Sequence, residues 1–120
     1  YKELLQQLGM IALGTDFPVE DINPLATFYA AVVRKDGNGN PPNGFLPQNK
    51  LSREEALKGM TIWAAIANFE EQEKGSLEVG KSADFVILNR DIMQVDEQEL
   101  LKAKVEMTFV DGQLVFNAQN

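Results

Sequence analysis

The sequence of 120 residues predicts one small α+β unit, and three features carry that prediction. A helical spacing followed by a short apolar run opens the chain at 1–14. Two further helical patterns, at 24–33 and 52–69, form its middle. Apolar alternation around the dipeptide Asp111-Gly112 indicates an antiparallel hairpin near the end. We therefore expect helices in the first part and a small, mostly antiparallel sheet in the last third.

The chain opens with one helix-to-strand step. Apolar residues at positions 1, 4, 5 and 8 have helical spacing, and Gly9 stands where a left-handed C-terminal cap belongs. The apolar run that follows indicates a fully buried strand, which we place at 10–14, and a polar turn containing Asp16 ends it. Because the chain begins at Tyr1 within the helical pattern and without an initiator Met, we expect it to be a piece of a longer protein.

The two middle helices have recognisable start signals. Asn23 can cap the first, with a proline at its first helical position. Ser52 and Glu55 form a capping box that opens the second, which we expect to run to about Phe69. On its apolar face, Trp63 is the expected main packing anchor. A glycine-rich turn, a strand at 84–88, a short helix at 95–102 and the hairpin strands at 104–110 and 113–116 complete the pattern.

Composition limits the functional classes. The net charge of −7 argues against a nucleic-acid partner, which needs a basic surface. No apolar run approaches the roughly 20 residues of a membrane span, so we expect no membrane partner. The sequence has no cysteine for disulfide or thiol chemistry. It also has no histidine, the commonest group in zinc sites and acid–base catalysis, so a self-contained metal enzyme is not expected.

The segment 75–82 (Gly-Ser-Leu-Glu-Val-Gly-Lys-Ser) satisfies G-x-x-x-x-G-K-[ST], the phosphate-binding P-loop. That loop needs a strand before it and a helix after it, whereas here a helical pattern precedes and a strand pattern follows. Glu78 would also place a carboxylate in the cradle. We therefore favour a helix-to-strand connection in which Lys81 is a surface residue. A P-loop-like nucleotide-binding module at 75–82 stays an alternative.

Three segments carry a family resemblance in a fixed order. The segment 13–19 (Leu-Gly-Thr-Asp-Phe-Pro-Val) is similar to G-[ST]-D-x-P-V. The segment 74–88 is similar to a G-S-[LI]-x-x-G-K-x-A-D turn that leads into an apolar strand. The segment 110–116 is similar to a V-x-G-[KR]-x-V-[FY] hairpin. In this order they resemble the C-terminal portion of the metal-dependent amidohydrolases, and most closely their YtcJ-like branch.

The resemblance implies a division of the chain. Residues 1–74 would be the C-terminal end of a TIM-like (β/α)8 barrel, with 10–14 as its last strand and helices after it. Residues 75–120 would be C-terminal strands of an accessory β-sandwich domain. Asp84, where the strand of that second part begins, is expected to be structural and to accept a hydrogen bond from the preceding turn.

Asp16 is the candidate catalytic and metal-binding residue. The resemblance implies that this Asp, at the end of the last barrel strand, binds a divalent metal, which we expect to be zinc, and accepts the proton of the attacking water. A carboxylate at the carboxyl end of a barrel strand lies at the mouth where such active sites form. Before Phe17-Pro18, Asp16 could instead only build a turn. The two downstream motifs favour the metal role. Thr15 could orient Asp16 or form the turn.

The resemblance further implies that the full-length protein hydrolyses an amide or related C–N bond of a small-molecule substrate with metal-activated hydroxide. We expect the 120-residue chain alone to be inactive and to hold no metal, because one carboxylate cannot hold a catalytic zinc. It should self-associate, or repack 10–14 against its own sheet, because that run has lost its barrel neighbours. A non-catalytic acidic interaction domain is the second alternative. The expected compartment is the cytoplasm.

Overall fold

The computed structural model describes residues 2–119, in which four helices precede a three-stranded sheet and a fifth lies between its first two strands. The helices are α1 Lys2–Leu8, α2 Pro24–Val33, α3 Arg53–Met60, α4 Ile62–Ala67 and α5 Glu97–Leu100, with a short 3-10 turn at Pro47–Asn49. The strands are β1 Phe85–Leu88, β2 Val105–Val110 and β3 Gln113–Asn117. The predicted α+β class is confirmed. No helix within 2–119 is long and apolar enough to cross a membrane.

The sheet has the order β1-β2-β3 and is antiparallel throughout. Asp111 and Gly112 connect β2 to β3, and both have positive φ values, 49° and 73°. Two such residues in succession suit the tight turn that matches the twist of a hairpin. Phe85 and Phe109 pair across β1 and β2, with ring centroids 4.5 Å apart. The predicted hairpin is therefore confirmed.

Local capping starts the two principal helices. The Asn23 side chain accepts a hydrogen bond from the Leu25 N–H at 3.0 Å and begins α2. At α3, Ser52 Oγ accepts from the Glu55 N–H at 3.1 Å, while Glu55 Oε2 accepts from the Ser52 N–H at 2.7 Å. Each bond satisfies an N–H that a helix start leaves without an intrahelical partner. Both predicted caps are confirmed.

Glu55 also joins α1 to α3, because its carboxylate accepts hydrogen bonds from Lys2 Nζ at 2.6 and 2.7 Å. The bond from Lys2, followed by the bond from the Ser52 N–H, holds the pKa of Glu55 below its usual range. The folded chain therefore binds a proton at Glu55 less tightly than the unfolded chain. The stability that Glu55 contributes is fully present above its unfolded-state pKa, and it is lost as pH falls through the folded-state pKa.

We therefore expect Glu55→Gln to flatten the acid side of the curve of unfolding free energy against pH. Glu54→Gln is the matched control, because the Glu54 side chain is 71% exposed in the same helical turn. Urea unfolding over about pH 3 to 6 measures both variants. Equal acid slopes for the two would contradict the role of the Lys2–Glu55 contact.

The core lies where α2 packs against α3 and α5. Its most buried side chains are Phe28 and Val33 at 1% exposure, Leu100 at 2% and Ala56 at 0%. The prediction that Trp63 would be the main anchor is wrong. Trp63 is half-buried and packs at the margin of this cluster, and Phe28 is its largest fully buried side chain.

The run 10–14 forms no strand within residues 2–119, contrary to the sequence prediction. A strand needs hydrogen-bond partners for its backbone N–H and C=O groups. In the described residues, this run is joined to the rest of the fold by a backbone bond from the Leu13 N–H to Gly59 O, at 2.9 Å. The alternative, that the run repacks against the chain's own sheet, is also wrong, because that sheet contains β1, β2 and β3 alone among the described residues.

The long helix expected from 52 to 69 is broken at Thr61, which has φ −127° and ψ −99°. The Thr61 hydroxyl donates to Leu57 O at 2.7 Å, a side-chain bond that competes with regular helix geometry. The helix therefore divides into α3 and α4, and α4 ends at Ala67. The apolar spacing continues across the break, and for that reason the sequence pattern did not reveal it.

Candidate functional site

Asp16 lies in a tight turn directly after the run 10–14. Its φ of 55° is in the left-handed region, its carbonyl accepts from the Val19 N–H at 2.8 Å, and the Phe17–Pro18 peptide is cis. Thr15 Oγ1 accepts from the Phe17 N–H at 3.4 Å, so the hydroxyl bonds within the turn. Asp16 is exposed. Hydrogen bonds to the Asp16 carbonyl and to the Thr15 hydroxyl thus form the turn.

The segment that leads to Asp16 rests on α3. Ile11 and Leu13 are partly buried and pack against the core, and the Leu13 N–H donates to Gly59 O at 2.9 Å. A Cβ built on Gly59 would lie 2.9 Å from both Ile11 O and Leu13 Cγ. Sequence reasoning missed Gly59. The one available signal was a glycine inside a strong helical pattern, which can mark a close approach.

A cavity of about 520 Å³ lies beside this turn. Residues 13–15, Glu20 and Asp21 line one part of it, and Tyr29 and Arg34 of the α2 region line another. Its volume is in the range of small-molecule sites. Among the described residues, the cavity reaches Thr15 and stops short of Asp16 itself.

Tyr29, one of the residues that line this cavity, is buried. Burial raises the pKa of Tyr29, and the negative charges of Glu97 and Asp36 raise it further. Both effects favour the protonated phenol, which can donate a hydrogen bond as well as accept one.

The segment 75–82 connects a helix to a strand, as predicted. It follows α4, which ends at Ala67, and precedes β1, which begins at Phe85, the reverse of the order that a P-loop requires. The prediction that Lys81 is a surface lysine is wrong, because its side chain is only 14% exposed. Its ammonium donates to Ser76 Oγ at 2.6 Å and pairs with Glu78 at 2.9 Å. These contacts stabilise the turn from within.

Asp84 is structural, but its partner differs from the one expected. Its Oδ1 accepts from the Asp111 N–H at 2.7 Å, in the hairpin turn rather than in the preceding turn. Beside it, the Gly112 N–H donates to Ala83 O at 3.0 Å. We call these two bonds the hairpin clasp. They join two of the sequence motifs in space.

The sequence of the chain matches the sequence model of the amidohydrolase family over residues 1–116. The chain belongs to the amidohydrolase family. The resemblance found in the motifs at 13–19, 74–88 and 110–116 is thereby confirmed.

Three characterised or named proteins are similar to the chain over most of its length. Protein LONG AFTER FAR-RED 3 of Arabidopsis thaliana is 37% identical over 97% of this chain and 19% of its own length. The putative amidohydrolase YtcJ of Bacillus subtilis is 28% identical over 97% of this chain and 22% of its own. N-substituted formamide deformylase of Arthrobacter pascens is 34% identical over 87% of this chain and 19% of its own.

Among solved structures, an amidohydrolase from Thermotoga maritima MSB8 is 30% identical, with a TM-score of 0.49 over 58% of this chain and 17% of its own. The chain therefore spans about a fifth of the length of the relatives that it matches.

Whether the chain alone can hold a metal ion depends on how its possible ligand side chains are grouped. Within residues 2–119, no three His, Cys, Asp or Glu side chains lie close enough together to hold a metal ion. A catalytic zinc needs three protein ligands. Asp16 offers one exposed carboxylate, and the described residues do not complete a metal site around it.

Proposed function

We propose that this chain is the C-terminal part of a metal-dependent hydrolase that cleaves amide or related C–N bonds in small molecules. In this proposal residues 1–74 end a (β/α)8 barrel, with 10–14 as its last strand, and residues 75–120 belong to an accessory β domain. Family membership supports the reaction class. The relative named N-substituted formamide deformylase supports the bond type, since a formamide contains a C–N bond.

The observation that carries the proposal is the setting of Asp16. It is an exposed carboxylate that follows an apolar run with few backbone partners, and it stands next to a residue that lines a cavity of small-molecule size. In the proposal, this run pairs with barrel strands that belong to another part of the protein. In a completed barrel, such a carboxylate would stand at the end where active sites form.

Asp16 would supply one carboxylate ligand and would accept a proton during hydrolysis. The remaining ligands would come from sequence outside these 120 residues, since the described part of the chain does not provide them. A divalent ion, for which we propose zinc, supplies Lewis acidity when bound. The cytoplasmic location stays a prediction.

The experiment that tests the proposal uses the longer protein that contains this chain. We expect it to bind zinc, to hydrolyse N-substituted formamides or amides, to lose that activity with a chelator and to regain it with added zinc. If the longer protein neither binds a metal nor hydrolyses these substrates, the proposal is overturned and the non-catalytic acidic interaction domain is favoured.

The isolated 120-residue chain, assayed beside the longer protein, is expected to be inactive. It should also self-associate in sedimentation experiments, because the run 10–14 offers unpaired backbone and β3 is an uncharged edge strand. A catalytic rate that Asp16→Ala removes from the isolated chain would contradict this expectation, as would a strictly monomeric chain.

A further inference from the structure

A second cavity adjoins the one described above, and Tyr29 and Lys35 line both. The second cavity has a volume of about 380 Å³, and its walls come from the end of α2, the segment after it and the start of α5. Because the two cavities share two wall residues, a ligand bound in one lies close to the lining of the other. We call the pair the joined cavities.

Carboxylates predominate among the charged groups that line the joined cavities. The lining of the larger cavity contains Glu20, Asp21 and Asp36, and that of the smaller contains Asp96 and Glu97. All of these side chains belong to exposed residues. A cleft lined mainly by one sign of charge concentrates ligands of the opposite sign. The linings therefore favour a cationic ligand.

Two basic residues, Arg34 and Lys35, also belong to these linings. Arg34 Nε donates to Phe45 O at 3.1 Å, and the guanidinium lies 5.9 Å from the centroid of the Phe45 ring. Phe45 lines neither cavity, so this contact draws the Arg34 charge toward a residue outside the linings. Lys35 forms no ion pair with another residue of the range 2–119. The carboxylates outnumber both cations, and the excess charge is negative.

Tyr29 lies where the two linings meet. It is 7% exposed, and its hydroxyl has no hydrogen-bond partner among the described residues. Protein atoms do not enclose that hydroxyl either, so it is open to the cavities that Tyr29 lines. After burial, the charges of Glu97 and Asp36, one from each lining, raise the pKa of Tyr29. The phenol is therefore within electrostatic range of both acidic walls.

We propose that the joined cavities bind a small alkylammonium ion, with its charged group between the Tyr29 hydroxyl and the carboxylates. An ammonium group has three N–H donors and no acceptor, so phenol and carboxylate oxygens are suitable partners. Leu13, Leu51 and Leu101 also line the larger cavity and offer apolar surface to the alkyl part. The inference goes beyond the proposed function, because it requires neither a metal ion nor hydrolysis.

The experiment compares three probes of equal chain length on the longer protein that contains this chain. Hexylamine is a cation at neutral pH, as the lysine side chain is, whereas 1-hexanol is neutral and hexanoate is an anion. Calorimetric titration at low salt should show hexylamine binding about tenfold more tightly than 1-hexanol, and hexanoate more weakly than both. Salt at about 0.15 M should reduce this preference. No binding of hexylamine, equal affinities for the three probes, or tighter binding of hexanoate would overturn the inference.

Two substitutions of opposite sign test whether the charge of the lining is the cause. Glu20→Gln should raise the dissociation constant of hexylamine about two- to fivefold, and Lys35→Gln should lower it by a similar factor. Glu106→Gln is the matched control, because Glu106 is exposed on β2 and lines neither cavity. Shifts of the same sign for Glu20→Gln and Lys35→Gln, or an effect of Glu106→Gln equal to that of Glu20→Gln, would contradict the inference.

Tyr29→Phe tests the position of the ammonium group. Because the hydroxyl has no partner in the described part of the chain, its removal should leave the melting temperature at the wild-type value. The dissociation constant of hexylamine should rise about fivefold or more, as expected for a lost hydrogen bond to a charged group. Wild-type affinity in Tyr29→Phe would show that the ammonium group does not lie at Tyr29. Should Tyr29→Phe not fold, the substitutions at Glu20 and Lys35 decide.

Discussion

Replacement of Asp16 by asparagine in the full-length protein is expected to lower kcat/KM by about 10²–10⁴-fold, the range of a lost acid–base group. Asparagine keeps the size of the side chain and an oxygen ligand, but it carries no charge and cannot hold the proton. It is also a suitable probe of the backbone. Asp16 has a φ of 55°, a region in which asparagine is well tolerated.

The control for this prediction is Asp84→Asn. The asparagine oxygen at position 84 can still accept the Asp111 N–H, so the hairpin clasp survives and kcat/KM should stay at the wild-type value. Because Asp16 is exposed, Asp16→Asn should change the free energy of unfolding by no more than about 0.5 kcal/mol. An activity within about twofold of wild type would reduce Asp16 to a turn residue.

Replacement of Phe28 by alanine is expected to destabilise the chain by about 3–5 kcal/mol. Phe28 is 1% exposed in the cluster between α2, α3 and α5, so its removal leaves a cavity in addition to the lost burial. That loss is a large part of the roughly 5–15 kcal/mol available to a domain of this kind. Urea unfolding followed by the fluorescence of Trp63, the single tryptophan, measures it.

Phe69→Ala is the matched control, because the Phe69 side chain is 92% exposed. It should shift the free energy of unfolding by no more than about 0.5 kcal/mol. Similar losses for Phe28→Ala and Phe69→Ala would show that the core does not lie where the structure has it.

The parts of the fold that could be predicted depend on neighbours in sequence. The cap at Asn23, the capping box at Ser52 and the turn at Asp111 each involve atoms within a few residues, so the residue types alone indicate them. The run 10–14 was different. Its apolar character reports the environment of the side chains, whereas a strand also needs backbone partners from other segments.

The candidate site also has a part that the sequence could predict and a part that it could not. Asp16 could be selected from its motif, because the motif is contiguous. The contact of Gly59 with Leu13 and that of Asp84 with Asp111 join distant positions, and no local pattern encodes such a pairing. The break at Thr61 was equally hidden, since the apolar spacing passes through it.

The hairpin clasp also bears on how these proteins can be recombined. Its two hydrogen bonds make the turn at 74–88 and the hairpin at 110–116 parts of one discontinuous unit. A chimera that took the first segment from a relative and kept the second would place a turn from one protein against a hairpin from another. Exchange of both segments together preserves the match, so the natural building block here is the pair.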